Sequence, residues 1–229
     1  MSIKKKLFIV GDSLFAEIAF YYFKREDIYD FLGFVVDDEY KSKEFKLGFP
    51  VYSFSSFVKL IESKHKNKNL YFFSAITYKD LNLLREKFYI KLKNIGLKPT
   101  SYISKDAFVD DSVKLGEHNF IFESNTIQYG VEIGDNNIIW SGNHIGHHSL
   151  IRNNNFVSSH CAISGNVNIL DNNFIGVNST ISNDINIGSR NFIGSSTNIS
   201  SNVDNDNLIY TNFNNTVKKK ANKLIKKIL

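Results

Sequence analysis

The sequence predicts a small α/β domain, then a parallel β-helix of six-residue repeats, finished by a short C-terminal helix. Three observations predict it. An aliphatic residue recurs every six positions without a break, from Ile103, Val109 and Leu115 through to Ile187, Ile193 and Ile199. A period of eighteen is nested in the six: His118-Asn119-Phe120-Ile121, Asn136-Asn137-Ile138-Ile139, Asn154-Asn155-Phe156-Val157, Asn172-Asn173-Phe174-Ile175 and Arg190-Asn191-Phe192-Ile193. Before about residue 98, strand-like and helix-like stretches alternate instead. Neither a helix nor a flat strand repeats at six, whereas a triangular coil with six residues per side repeats at six and eighteen together.

Strand alternation assigns the faces. Residues two apart share a face, so the aliphatic residue and the one two before it point inward. That second position is small on one side of the triangle (Cys161, Ser179, Thr197) and branched on another (Val113, Val131, Val167, Ile185). On the third it is Asn119, Asn137, Asn155, Asn173 and Asn191. Coils stack about 4.8 Å apart, so these amides are expected to form a ladder of mutual hydrogen bonds. Gly116, Gly134, Gly146, Gly176, Gly188 and Gly194 follow the aliphatic residue, where tight corners call for a permissive backbone. Phe120, Ile138, Phe156, Phe174 and Phe192 precede it and are expected to face outward. A stripe of that size predicts a homo-oligomer packed through this face, the alternative being cover from the N-terminal domain.

The first part reads β-α-β-α. Leu7–Val10 is a strand, Gly11-Asp12-Ser13 a turn, and a helix runs to about Phe23. Phe31–Val36 ends in Asp37-Asp38. A short strand over Gly48–Tyr52 precedes a helix near Ser55–His65, and a strand over Asn69–Ala75 precedes a helix over Lys79–Lys93 that stops at Gly96. That alternation predicts a small parallel, Rossmann-like sheet. Ligands of such sheets bind beyond the carboxyl ends of the strands, here near Gly11–Ser13, Asp37 and Ser74–Thr77. Ser13 and Ala16 stand where a full dinucleotide fingerprint has glycine, so the turn suits a phosphate at a helix N-terminus better than a whole NAD. The boundaries expected are 1–98 for this domain, 99–207 for the β-helix and 208–229 for a basic amphipathic tail.

Composition excludes several classes. No apolar run approaches eighteen residues and no charged-then-apolar leader opens the chain, which predicts a cytoplasmic protein without a membrane span. Lys218, Lys219, Lys220, Lys223, Lys226 and Lys227 together exceed the whole net charge of +5, so the rest of the chain offers no nucleic-acid surface. Val217, Ala221, Leu224, Ile225, Ile228 and Leu229 fall on one face of a helix over Thr216–Leu229. That helix would cap the open end of the β-helix or rest weakly on an anionic membrane surface. The single cysteine, Cys161, occupies an inward position and reads as an inert core thiol.

Five of the six histidines lie in the β-helix: His118, His144, His147, His148 and His160. His144 precedes an inward residue and faces out; His147 and His148 follow Ile145-Gly146 at a corner. Gly165 stands eighteen residues after His147, one coil away. A missing side chain beside an imidazole leaves room for a substrate atom, and its N–H is a donor, which suits a general base beside an oxyanion site. The cluster is too tight for the three-histidine zinc site of β-helical carbonic anhydrases, so no metal is expected.

The Gly11 turn with Ala16-Glu17, Asp37-Asp38, Gly48-Phe49-Pro50-Val51, the run Trp140–His148 and Ile163-Ser164-Gly165-Asn166-Val167 together resemble the sialic-acid O-acyltransferase family of the NeuD type. That family also contains amino-sugar N-acetyltransferases of the PglD type. The resemblance covers nearly residues 1–207. It implies a left-handed β-helix, a homotrimer with active sites between subunits, acetyl-CoA along the β-helix and a nucleotide-linked sugar held by the N-terminal domain. It places the catalytic histidine at His147 and the thioester-binding glycine at Gly165; beside them, His148 and His144 are expected to support catalysis or contact substrate. It puts the sugar nucleotide at Gly11, Asp12, Ser13, Asp37 and Asp38, and acetyl-CoA contacts at Gly165, Phe156, Phe174, Val177 and Ser195. The chain departs from the family in having His148 where some members carry an acid, Phe156 where the amino-sugar members have a histidine, a depleted glycine loop, and no Gly-x-Pro-Ala-Lys segment.

The activity these readings imply is N-acetylation of a nucleotide-linked amino sugar for bacterial surface-glycan synthesis, with acetyl-CoA as co-substrate. Two alternatives are O-acetylation of sialic acid or another sugar hydroxyl, and a non-enzymatic β-helix scaffold.

Overall fold

The computed structural model describes residues 4–64, 69–212 and 215–220. By internal contacts the chain divides into two compact units. One holds residues up to Thr77 together with Lys87–Thr100; the other holds Tyr78–Glu86 together with the chain from Ser101 onward.

The first unit is a parallel sheet with helices. Its elements are β1 (Lys5–Val10), α1 (Leu14–Arg25), β2 (Tyr29–Val36), β3 (Phe45–Lys46), β4 (Phe49–Ser53), α2 (Phe54–Lys64) and β5 (Leu70–Ser74). Then come α3 (Leu83–Asn94), which the division crosses, and β6 (Lys98–Pro99). The sheet order is β3-β4-β2-β1-β5-β6, parallel throughout except for the β3–β4 hairpin. β1 is central and its Leu7–Val10 run is buried, which is why it reads as continuous apolar sequence. The short β3 and β6 carry too few residues to show a pattern. His65, the last residue of the expected second helix, lies outside the described residues.

In the second unit, two-residue rungs recur every six positions from Tyr102–Ile103 to Asn198–Ile199 and build three parallel sheets. Rungs eighteen residues apart pair in register, such as Phe120 with Ile138 and His144 with Ala162. The aliphatic column from Ile121 to Ile199 is at most 3% exposed, so each rung buries its inward residue in one continuous core.

The asparagine column is buried as expected, but its amides do not bond one another. Asn119, Asn137, Asn155 and Asn173 each use Oδ1 to accept the backbone N–H of the asparagine one coil on, at 2.8–2.9 Å. The Nδ2 groups of Asn137, Asn173 and Asn191 donate to the corner carbonyls of Arg152, Leu170 and Gly188. Corner peptides have no partner within their own strand, so the side chains satisfy them. Asn137→Leu therefore strands the Asn155 N–H and the Arg152 carbonyl. It is expected to cost about 2–4 kcal/mol, read as a lowered urea midpoint.

The corner glycines also have a different reason. Gly116, Gly134 and Gly188 do not adopt left-handed backbone; a Cβ there would fall 2.2–2.4 Å from Asp135 Oδ1, Asn153 Oδ1 or Asn205 Oδ1. They are glycine because the next coil's side chain reaches back across them. From His118 on, the left-handed positions are three residues before the aliphatic one and carry mostly Asn, His, Asp or Ser, with Gly only at Gly130 and Gly142.

Three further expectations are corrected. The Lys79–Lys93 helix begins at Leu83, because Asp80, Leu81 and Asn82 are left-handed and this segment packs on the β-helix. Tyr78 meets Phe156 and Phe174 edge-on at 5.0 and 4.8 Å. Phe120, Ile138 and Phe156 are buried within the single chain, so the upper stripe is internal core and not a free subunit face. The tail is not helical where it is described: Asn215–Lys220 is a strand antiparallel to Asn207–Asn212, extending the asparagine-bearing sheet, while Ala221–Leu229 lie outside the described residues. Among the described residues no helix is long and apolar enough to cross a membrane.

Candidate active site

Within the β-helix unit, Ile145-Gly146 turns a corner and presents His147 and His148, both exposed. The corner is tied by its backbone: Gly146 N–H donates to the Ile163 carbonyl, His148 N–H to that of Tyr129, and Asn166 N–H to that of His147, at 2.8–3.0 Å. The His147 N–H donates to Gln128 Oε1 at 3.0 Å. These bonds hold the imidazoles at fixed places on the coil while leaving the rings accessible.

His147 lies flat against Gly165 one coil on. A Cβ at Gly165 would meet His147 Cε1 at 2.6 Å and Nε2 at 2.7 Å. The glycine makes room for the imidazole itself, not for a substrate atom. The Gly165 N–H, expected as the oxyanion donor, instead donates to Asn183 Oδ1 at 3.0 Å. His148, at φ +59°, sits over left-handed Gly130 with Tyr129 edge-on to its ring. His147 Nδ1 and His148 Nδ1 are 3.1 Å apart. One of the two must donate and the other accept, so whenever His147 Nδ1 carries the proton its Nε2 holds a free lone pair.

The other predicted residues are dispersed around the coil. His144 is exposed on a rung between Thr126 and Ala162, a different side of the corner from His148. His160 packs over Gly142 at a separate corner, and His118 is buried against Asn136. Phe156 is 3% exposed, too covered for a co-substrate to touch, and Phe174 is half-buried under Tyr78 and Phe192. Val177 and Ser195 are exposed. Cys161 is a core thiol that burial pushes up to about 11, well out of nucleophile range. Among the described residues, no group of three or more His, Cys, Asp or Glu is placed to hold a metal ion.

The first unit carries a second cluster at the carboxyl ends of β1 and β2. Gly11 has φ +101° and its Cα passes so close to the next strand that a Cβ would lie 2.9 Å from the Ala75 carbonyl oxygen, so both backbone and space require glycine. Ser13 is the N-cap of α1 without a side-chain cap bond, which leaves its hydroxyl and the first-turn N–H groups facing the same anion-favouring helix end. Asp12 pairs with Lys43 at 2.9 Å, a residue that no motif in the sequence marks. Asp37 accepts the Asp38 N–H. Asp38 accepts the Ser55 hydroxyl at 2.6 Å and the Ser55 N–H at 3.2 Å, bonds that hold its carboxyl below the usual range. Asp38 is therefore engaged with the start of α2 and is not a free ligand in this state.

No family model matches the sequence, and no curated protein sequence does. The fold has clear counterparts among solved structures. A histidine-to-asparagine variant of perosamine N-acetyltransferase from Caulobacter crescentus, in complex with CoA and GDP-perosamine, is similar over 95% of this chain and 98% of its own, at 22% identity and a TM-score of 0.82. The acetyltransferase domain of PglB from Neisseria gonorrhoeae FA1090 is similar over 95% and 100%, at 19% identity and a TM-score of 0.79. WeeI from Acinetobacter baumannii AYE is similar over 93% and 100%, at 18% identity and a TM-score of 0.79. From its parallel α/β sheet through to the left-handed β-helix, the chain has the fold of these structures.

Proposed function

We propose that this chain is an acetyl-CoA-dependent N-acetyltransferase acting on a nucleotide-linked amino sugar in bacterial surface-glycan synthesis. The observation that carries the reading is the exposed His147 imidazole, pressed on Gly165 and in contact with His148 through Nδ1. It stands on a fold whose solved counterparts include an N-acetyltransferase bound to CoA and GDP-perosamine.

The chemistry follows from those groups. With Nδ1 protonated and donating to His148, His147 Nε2 takes the proton that the sugar amine sheds as it attacks the thioester carbonyl. Collapse of the tetrahedral intermediate expels the CoA thiolate, which receives that proton as the free thiol. An imidazole partner at His148 replaces the carboxylate found in some related enzymes. It accepts the same hydrogen bond only while its own Nδ1 is unprotonated. In the first unit, the start of α1 with Ser13 and the ammonium of Lys43 suits a diphosphate; Lys43 would exchange Asp12 for the ligand. Assembly as a homotrimer is part of the same proposal.

The test is free-thiol release from acetyl-CoA against a panel of GDP-, UDP- and dTDP-linked amino sugars, with free sialic acid beside them. Release that needs an amino-sugar nucleotide supports N-acetylation. Release only with a hydroxyl acceptor would move the assignment to O-acetylation. No release and no acetyl-CoA binding would leave a scaffold.

A further inference from the structure

Tyr129 and His147 stand at the same corner position on successive coils, eighteen residues apart. The rungs on either side fix that stacking, because Ile127 pairs with Ile145 and Glu132 with Leu150 in register. Tyr129 is therefore the neighbour of the base on the coil before, as Gly165 is on the coil after.

Its side chain has no work to do in the coil. Tyr129 is 61% exposed, while the core beside it is filled by Ile127 and Val131. Among the described residues its hydroxyl has no hydrogen-bond partner, and the corner uses only its backbone carbonyl, which accepts the His148 N–H at 3.0 Å. Any residue would supply that carbonyl. The Tyr129 ring stands across that of His148, with centroids 5.5 Å apart and planes at 69°. His148 stands across His147 in turn, at 5.3 Å and 81°. The three rings make one continuous row that ends at the base. Around them the corner offers polar or small groups, in Gln128, Gly130, Gly165 and Asn166.

A hexose suits such a row. Its hydroxyls and amine lie around the rim, and its axial hydrogens give the ring an apolar face of C–H groups. The amine has to reach His147 Nε2, so the ring that carries it lies within about one coil spacing of the base. An aromatic side chain at that distance takes the C–H face out of water and fixes the plane of the sugar.

We propose that Tyr129 is the residue that positions the acceptor: the amino sugar stacks on its ring through the C–H face, with the amine turned to His147. The assignment rests on the acetyl-transfer reading above and narrows the acceptor to an amino pyranose with one face free of axial hydroxyls. Because the ring holds the sugar and takes no part in bond making, its contribution belongs in acceptor binding and not in the chemical step.

The experiment measures steady-state thiol release by the wild-type chain, Tyr129→Phe and Tyr129→Ala, with the amino-sugar nucleotide on which the wild type is active. The melting curve and solution mass of each are recorded. Calorimetry compares binding of that sugar nucleotide with binding of its bare nucleoside diphosphate. Tyr129→Ala is expected to raise KM for the sugar nucleotide about 5–10-fold, with kcat and KM for acetyl-CoA nearly unchanged. Its affinity for the sugar nucleotide should fall by the same factor, and that for the bare nucleoside diphosphate should hold. Tyr129→Phe keeps the ring face and should match the wild type. A loss confined to kcat would overturn the assignment, because it would make Tyr129 a support for His148 alone. A raised KM for acetyl-CoA, or a changed solution mass, would overturn it in favour of a co-substrate or subunit contact. Wild-type behaviour of Tyr129→Ala would overturn it as well. Absence of thiol release by the wild-type chain would instead overturn the transfer reading, and the stacking assignment with it.

Discussion

His147→Ala is expected to lower the rate of acetyl transfer by about 10²–10⁴-fold, the usual contribution of a positioned general base. The loss should fall on kcat, with acetyl-CoA affinity nearly unchanged. The reason to expect a clean result is structural. His147 is exposed, and the corner is held by bonds from Gly146, His148 and Asn166 that do not involve its ring. Its own N–H keeps Gln128 Oε1 whatever its side chain. The fold should therefore survive, and an unchanged melting curve beside the rate loss would locate the defect in chemistry. Added imidazole should restore part of the rate, since removing the ring opens space against Gly165. Gly165→Ala should give a comparable loss by the opposite route, because its Cβ would drive the ring from its seat. An undiminished rate in His147→Ala would remove the base from the mechanism.

The second large effect is on stability. Arg85→Ala should lower the unfolding free energy by about 3 kcal/mol or more. Arg85 is fully buried in the β-helix unit and its guanidinium is shared among four oxygens. Nε reaches Asn136 Oδ1 at 3.2 Å, Nη1 reaches Asn82 Oδ1 at 3.2 Å, and Nη2 reaches the Asn136 and Asn155 carbonyls at 2.7 and 3.3 Å. Burial pulls its pKa down to about 9, which still leaves it charged at neutral pH. Truncation leaves a void and strands the Asn136 carbonyl and Asn82 Oδ1, while the Asn155 carbonyl keeps the Ile138 N–H and Asn136 Oδ1 keeps its contact with His118 Nδ1. Arg85→Met fills most of the void, so the difference between the two variants separates packing from hydrogen bonding. Urea unfolding measures both. Stability unchanged in Arg85→Met would mean that the cost of burying the charge cancels what its bonds contribute.

Arg85 also shows where sequence reading stops. It lies in a stretch, Lys79–Lys93, that reads as one charged amphipathic helix, and nothing local distinguishes it from Lys87 or Lys91. The left-handed backbone at Asp80, Leu81 and Asn82 costs about 1–2 kcal/mol per residue, a conformation no propensity favours. It exists because Tyr78 packs edge-on against Phe156 and Phe174, and because Asn82 and Arg85 reach carbonyls of the coil. The same contacts turn the outward aromatic stripe into core. The C-terminal tail is a similar case: Thr216–Leu229 has helical spacing, yet its described part, Asn215–Lys220, pairs with Asn207–Asn212, because a β-helix ends in an unpaired sheet edge that attracts a strand.

What the sequence by itself determined is the β-helix: its period, its inward aliphatic column, its buried asparagine column, and the alignment of His147 with Gly165 one coil apart. These follow from repetition, since a register that holds over sixteen successive six-residue intervals leaves one way to stack. Only the tertiary structure decided how the corners are satisfied. It showed that the asparagines bond to backbone and that most corner glycines yield space to the next coil. It showed too that the Gly165 N–H is taken by Asn183, and that Asp38 holds α2. The physical reason is common to all four. Each depends on which group lies nearest a peptide N–H or carbonyl in space, and a one-dimensional pattern records spacing along the chain but not the competition among partners for one hydrogen bond.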